Sequence, residues 1–134
     1  MNTAPVPFAS TLRFSIPLKT VSGANSREHW AAKARRVKAE RSATALAILV
    51  AGAKTTLKGY APSASRIIVT LTRVAPRQLD SHDNLPSSMK GVVDQLCASM
   101  GIDDRDPRFA VLYQQHRGAV RENAVRVVVS MEAP

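Results

Sequence analysis

From Ser26 to Val50 the chain reads SREHWAAKARRVKAERSATALAILV, with neither glycine nor proline and with alanine and long unbranched side chains dominating. Such a run has few alternatives to a helix of several turns, because these residues lose little rotamer freedom in a helix. Asn25, followed three residues later by Glu28, resembles a capping box and sets the helix start. Trp30, Ala34, Val37, Ala45 and Leu49 keep roughly helical spacing and form the expected apolar stripe, with Trp30 packing the helix on a sheet. Lys33, Arg35, Arg36, Lys38 and Arg41 decorate the rest of its surface.

Strands are expected on both sides of this helix. Leu12, Phe14, Ile16 and Leu18 alternate with Arg13, Ser15 and Pro17, the period of a half-buried strand, and Pro17 makes it an edge or a strand end. KGYAPSAS reads as a loop, and RIIVTLTRV after it is apolar enough for a central strand. A second helix is expected from Pro86 to Met100, with Leu85, Met89, Val92, Val93, Leu96 and Met100 on one face and Gly101 as its stop. RFAVLYQQ and NAVRVVVSM are the last strands, and the link HRGAVRE suits a hairpin between them. The expected class is α+β, a small mixed β-sheet packed on two helices in the order β-α-β-α-β-β. At 134 residues this is one domain, spanning 12–134 behind a flexible N-terminal arm of residues 1–11.

Charge is unevenly spread along this frame. The chain carries 19 Lys and Arg against 10 Asp and Glu, net +9. Yet the window from Asp80 to Asp106 holds six aspartates against Lys90 and Arg105, net −4, which leaves +13 for the remainder. A basic body of this kind favours polyanions through counterion release. Aromatic residues are only 4% of the chain, which disfavours a single-strand binder built on serial stacking platforms. The single cysteine, Cys97, excludes an internal disulfide and a multi-cysteine zinc site, and reads as a small buried residue. No run is long and apolar enough for a membrane span, and MNTAPVPFAS has no signal-peptide core, so the expectation is a soluble cytoplasmic protein with no membrane partner.

The acids fall at two places: Asp80 and Asp83 before the second helix, and Asp103, Asp104 and Asp106 beyond it. A straight helix of about fourteen residues would hold the two groups roughly 20 Å apart. In this order, Asp83-Asn84, then Lys90, then Asp94 within an amphipathic helix, then Asp103-Asp104, the chain resembles the RusA family of Holliday junction resolvases. The resemblance covers most of the chain from LRFSIPLKTVSGANSREHW onward. The family usually sets its first carboxylate two residues before the Asp-Asn aspartate, where this chain has Ser81, with Asp80 one residue earlier. LPSSM also separates Asn84 from Lys90, a longer interval than the family's.

The resemblance implies a homodimeric endodeoxyribonuclease that uses Mg²⁺, with Mn²⁺ as a substitute, to cut four-way or other branched DNA. It also implies that the distant acids converge on one metal site. On that reading Asp80, Asp83 and Asp104 are the expected metal ligands, Asp103 is the alternative to Asp104, and Lys90 neutralises the scissile phosphate or orients water. Arg27, Lys33, Arg35, Arg36 and Lys38, with Arg73 and Arg77, are the expected contacts to flanking phosphates. The alternative function is a non-catalytic basic DNA-binding phage accessory protein on the same scaffold.

Each residue also has a plainer use. Asp80, Asp83 and Asn84 suit a turn and helix cap, and DDRDP suits a solvated turn. Lys90 and Asp94 suit an exposed i,i+4 ion pair, and His82 a surface turn. The helix-1 cations suit a solvated face, and DDRDPRF lacks the glycine and terminal glutamate of a calcium loop.

Overall fold

The computed structural model describes residues 10–21, 30–79 and 84–133. Its elements run β1 (Ser10–Ile16), α1 (Trp30–Val50), α2 (Lys54–Ser63), β2 (Arg66–Ala75), α3 (Asn84–Ser87), α4 (Lys90–Met100), β3 (Phe109–Arg117) and β4 (Ala124–Glu132). The α+β class and the alternation of strands with helical segments are as read, but each helical segment comes in two pieces. The first strand begins at Ser10, so the last two residues assigned to the arm belong to the sheet. The capping box at Asn25 and Glu28 lies outside the described residues.

The four strands form one mixed sheet in the order β1-β4-β2-β3, with β4 antiparallel to both its neighbours and β2 parallel to β3. β1 is an edge and β2 is central, as the proline and the apolar run imply. The expected β3–β4 hairpin does not form, because β2 lies between the two strands. Burial supplies the reason: Val125, Val127 and Val129 are at most 1% exposed, and a strand so apolar is best covered with neighbours on both edges. β3, ending in Gln114, Gln115, His116 and Arg117, tolerates the open edge.

Ile67, Val69 and Leu71 of β2 meet the β4 valines under the helices, together with Leu57, Tyr60, Leu85, Met89, Val92, Leu96 and Met100. The segment read as a loop, KGYAPSAS, is largely helix: Leu57 and Tyr60 turn inward three residues apart, and Tyr60 Oη shares a 2.7 Å hydrogen bond with Ser10 Oγ. Burial of those two side chains outweighs the helix-breaking preferences of Gly59 and Pro62. The inward face of α1 also differs from the expected stripe. Glu40, Thr44, Ala47 and Ile48 are buried, whereas Trp30 is 76% exposed and Leu49 65% exposed. Trp30 therefore does not pack the helix on the sheet.

The reason is a polar bridge between helices. Glu40, 2% exposed, accepts the Gly91 N–H on Oε1 at 3.0 Å and the Arg36 guanidinium on Oε2 at 2.8 Å. Gly91 lies in the first turn of α4, whose preceding residue, Met89, offers no side-chain cap. A carboxylate from α1 thus satisfies an amide that the helix cannot bond internally, and its charge suits the positive helix end. The approach is close: a Cβ on Gly91 would lie 2.6 Å from Glu40 Cβ and 2.6 Å from the Val37 carbonyl oxygen.

Gly91→Ala is accordingly expected to push α1 and α4 apart and to lower stability by about 1–3 kcal/mol. A urea unfolding series on the two proteins measures this; an unchanged midpoint would refute the close-approach account.

Candidate active site

Lys90 and Asp94 project from α4 one turn apart, joined by a 3.5 Å ion pair with the lysine side chain 58% exposed. An exposed pair of this geometry contributes only about 0.3–0.5 kcal/mol, so the two groups remain available to other partners. They line a cavity of about 380 Å³ together with Pro86 and Ser87 of α3, Val93, Asp104 and Tyr113 of β3. Residues from the start of the second helical segment and from beyond its end therefore share one space. The chain achieves this by breaking the segment at Ser88 and Met89 and by turning back after Met100.

Both devices have local causes. Ser88 is fully buried and donates its hydroxyl to the Leu85 carbonyl at 2.7 Å, closing a turn that separates α3 from α4. Gly101, with φ 74°, ends α4 in the left-handed region, and the Ile102 amide bonds back to the Cys97 carbonyl at 3.0 Å. Asp103 Oδ1 accepts the Arg105 amide at 2.8 Å. Asp106 takes the Arg108 amide, Nε and Nη2 at 2.9 to 3.1 Å, and Arg108 Nη1 donates to the Ala61 and Ala64 carbonyls at the end of α2.

These bonds separate the roles of the three acids. Asp106 is committed to Arg108, and Asp103 to the turn, while Asp104 lines the cavity beside Lys90 and Asp94. Of the two alternatives at this position, Asp104 is the one that lines the cavity. Asp94, which sequence reasoning treated as an ion-pair partner, joins it in the same space; its place within the Asp-Asn, Lys, Asp, Asp-Asp order was the available signal.

The electrostatics carry the same convergence. Burial pushes the Cys97 thiol up to about 12, and the charges of Asp104, Asp94, Asp103 and Asp106 push it in the same direction. Four carboxylates thus act on one buried sulfur, which stays protonated and unreactive at neutral pH. Tyr113, in the cavity wall, is also raised, chiefly by burial.

Asp80 and Asp83, with His82, lie outside the described residues, as does Arg27. Their attachment points are defined. On one side the Gln115 side chain grips Leu79 twice, accepting its amide at 2.7 Å and donating to its carbonyl at 2.8 Å. Gln115 lies two residues beyond Tyr113 on the same face of β3, about 7 Å along the strand. On the other side Asn84 opens α3, whose Pro86 and Ser87 line the cavity. Among the described residues no three carboxylate, imidazole or thiol groups gather as a metal-binding cluster.

The cations divide into two groups. Lys33 and Lys38 are exposed and line a groove of about 650 Å³ with Trp30, Arg41 and, across on α4, Gln95, next in sequence to Asp94. Arg35 and Arg77 are exposed as well. Arg36 is drawn inward to Glu40, and Arg73 is only 7% exposed, donating Nε to Thr20 Oγ1 at 2.8 Å and Nη1 to the Arg77 carbonyl. Both guanidiniums are held by internal acceptors, which residue type alone does not reveal.

Among the described residues no helix is long and apolar enough to cross a membrane. Comparison with protein-family models and with curated proteins returned no match.

Two measurements check this geometry. Asp103 is held below the usual carboxylate range first by the Arg105 amide, and Asp106 by the Arg108 guanidinium and amide. Lowered folded values stabilise the protein above the ordinary carboxylate pKa of about 4, and that contribution is lost as pH falls through the folded values. Urea midpoints at about pH 5 and pH 3 are expected to fall more for the parent than for Asp106→Asn, which lacks one of the two titrations. Cys97 is expected to resist iodoacetamide in the folded protein and to react on unfolding; rapid alkylation in native buffer would contradict its burial and raised pKa.

Proposed function

We propose that this chain is a Mg²⁺-dependent endonuclease that cleaves branched DNA, acting as a homodimer with one acidic site per subunit. The observation that carries the reading is the cavity that Lys90, Asp94 and Asp104 line together, with Pro86 and Ser87 of α3, just after Asp80 to Asp83 in the chain, in its wall. Asp80 is bonded to Leu79 and Asp83 to Asn84, so their carboxylates are tethered within one residue of described positions. Asp94 and Asp104 offer hard carboxylate oxygens, the donor type that suits Mg²⁺, and Asp80 and Asp83 would complete the set. When bound, the ion supplies a low-pKa water and charge stabilisation for phosphodiester cleavage.

The residues divide the remaining work. Asp104 and Asp94 orient the hydrated site from the wall formed by α4 and the turn after it. Lys90, freed from its weak pairing with Asp94, neutralises charge gathering on the scissile phosphate. Tyr113 and Val93 close one side and limit bulk water. Lys33, Lys38 and Arg41 along the α1 groove hold flanking phosphates without reading sequence. Two subunits would place two cleavages in register across a symmetric junction.

The test is incubation of the purified protein with a synthetic four-way junction and Mg²⁺. Paired nicks that vanish with EDTA are expected, with activity reduced on the order of 10²-fold or more in Asp104→Asn and in Asp83→Asn. Binding of the junction should persist in both, since each substitution removes a negative neighbour from a polyanion. Salt-sensitive binding without any nicking, and without stabilisation by Mg²⁺ or Mn²⁺, would replace this reading with the non-catalytic accessory protein.

A further inference from the structure

A second cavity, of about 370 Å³, opens at the far end of β2 and is lined by Lys19, Arg73, Ala75, Pro76, Arg77, Arg121 and Asn123. Four of its seven residues are cationic, and no carboxylate lines it. The carboxylate next in the chain, Glu122, is taken by the Ala119 amide at 3.1 Å. Four like charges around one hollow repel one another, which is a cost unless an anion occupies it.

Arg73 gives this hollow a fixed floor. It stands in the inward row of β2 after Ile67, Val69 and Leu71, where an aliphatic side chain would extend the core. Thr20 and the Arg77 carbonyl hold Nε and Nη1, so the guanidinium plane is set. Nη2 donates to no atom among the described residues. Since none of their buried side-chain nitrogens or oxygens lacks a partner, this nitrogen reaches solvent, and Arg73 is one of the residues that line the cavity. Burial lowers Arg73 from its ordinary value, yet an arginine remains charged at neutral pH. A preorganised, mostly buried guanidinium with one free donor edge is suited to an oxyanion.

Arg121 adds a second sign of use. Its φ is 66°, and among the described residues it is the one non-glycine residue in the left-handed region. Glycine would adopt this conformation at lower cost, and the chain instead keeps a long cationic residue there, at the lining of the cavity.

We infer that this cavity is a phosphate-binding site, in which Arg73 provides the fixed donor and Lys19, Arg77, Arg121 and Asn123 close around the oxygens. The shared chemistry is a tetrahedral phosphate, supplied either by a nucleic-acid backbone or by a small free phosphate. The assignment of the backbone as its source rests on the nuclease reading; the site itself does not. If the backbone is the source, the cavity grips one strand beside residues 76 and 77, shortly before the acidic segment in sequence.

The test is titration of the full-length protein with inorganic phosphate against chloride at matched ionic strength, read by thermal unfolding. Phosphate is expected to raise Tm saturably where chloride does not. Arg121→Gly and Arg77→Gln should each weaken phosphate binding about tenfold, the loss of one charge-assisted hydrogen bond. Arg121→Gly should do so with Tm in chloride unchanged or higher, because glycine relaxes the backbone; this variant carries the test if Arg73→Lys fails to fold. A labelled duplex supplies the second arm. Displacement of phosphate by DNA, with weaker DNA binding in the same variants, supports the backbone as source. Phosphate binding that the variants weaken while DNA neither competes nor loses affinity supports the site with a free phosphate as ligand. Equal effects of phosphate and chloride, or a phosphate response intact in both variants, would overturn the inference. Junction cleavage is scored separately, so a protein that binds phosphate here but never nicks DNA would count against the nuclease reading alone.

Discussion

The bridge from Glu40 to the first turn of α4 is the constraint on which the rest of the structure depends. A carboxylate 2% exposed needs compensation, and it finds the Gly91 amide on one oxygen and Arg36 on the other. Meeting that requirement sets the rotation of α1, since Glu40, Thr44, Ala47 and Ile48 must then face inward together. It also sets where α4 begins, and hence where Lys90 and Asp94 project. The glycine at 91 is the steric condition for the contact, because any larger residue would hold the helices apart.

From that anchored helix the acidic cavity follows by chain reversal. α4 is short enough, and the turn after Gly101 tight enough, for Asp104 to return to the space beside Lys90 and Asp94. The turn is itself built from acids: Asp106 and Asp103 accept its backbone amides, and Asp104, beside Asp103, lines the cavity. Clustered aspartates in one short stretch thus divide into scaffolding and surface, and the division is made by which backbone amides each one meets. On the other side of the cavity, Gln115 extends the sheet by holding Leu79 as a further strand residue would. The basic residues divide in the same manner, with Arg36 and Arg73 turned to internal acceptors and Lys33, Arg35, Lys38 and Arg77 left outside.

Much of the fold was legible because local pattern and final environment agree. The alternation in RIIVTLTRV, the face formed by Met89, Val92, Leu96 and Met100, and the glycine that stops α4 all appear as read. The α1 face was not legible, because the eye follows apolar residues, and here the inward stripe carries a glutamate and a threonine that pair internally. KGYAPSAS was misread for a related reason. Its Gly and Pro advertise a loop, while the buried anchors, Tyr60 within it and Leu57 just before it, become decisive only once a core exists to receive them.

The sequence by itself determined the order of the strands and of the two expected helical segments, the core rows of β2, β4 and α4, and the concentration of negative charge into one window of a basic chain. These depend on periodicity and composition, which act over a few residues. Only the tertiary structure decided that β4 lies between β1 and β2, that Asp104 rather than Asp103 lines the cavity with Lys90, and that Arg73 turns inward while Arg77 does not. Those outcomes depend on how the chain packs and on which amide or carbonyl, near or distant in sequence, comes within about 3 Å, and a linear reading contains no measure of that.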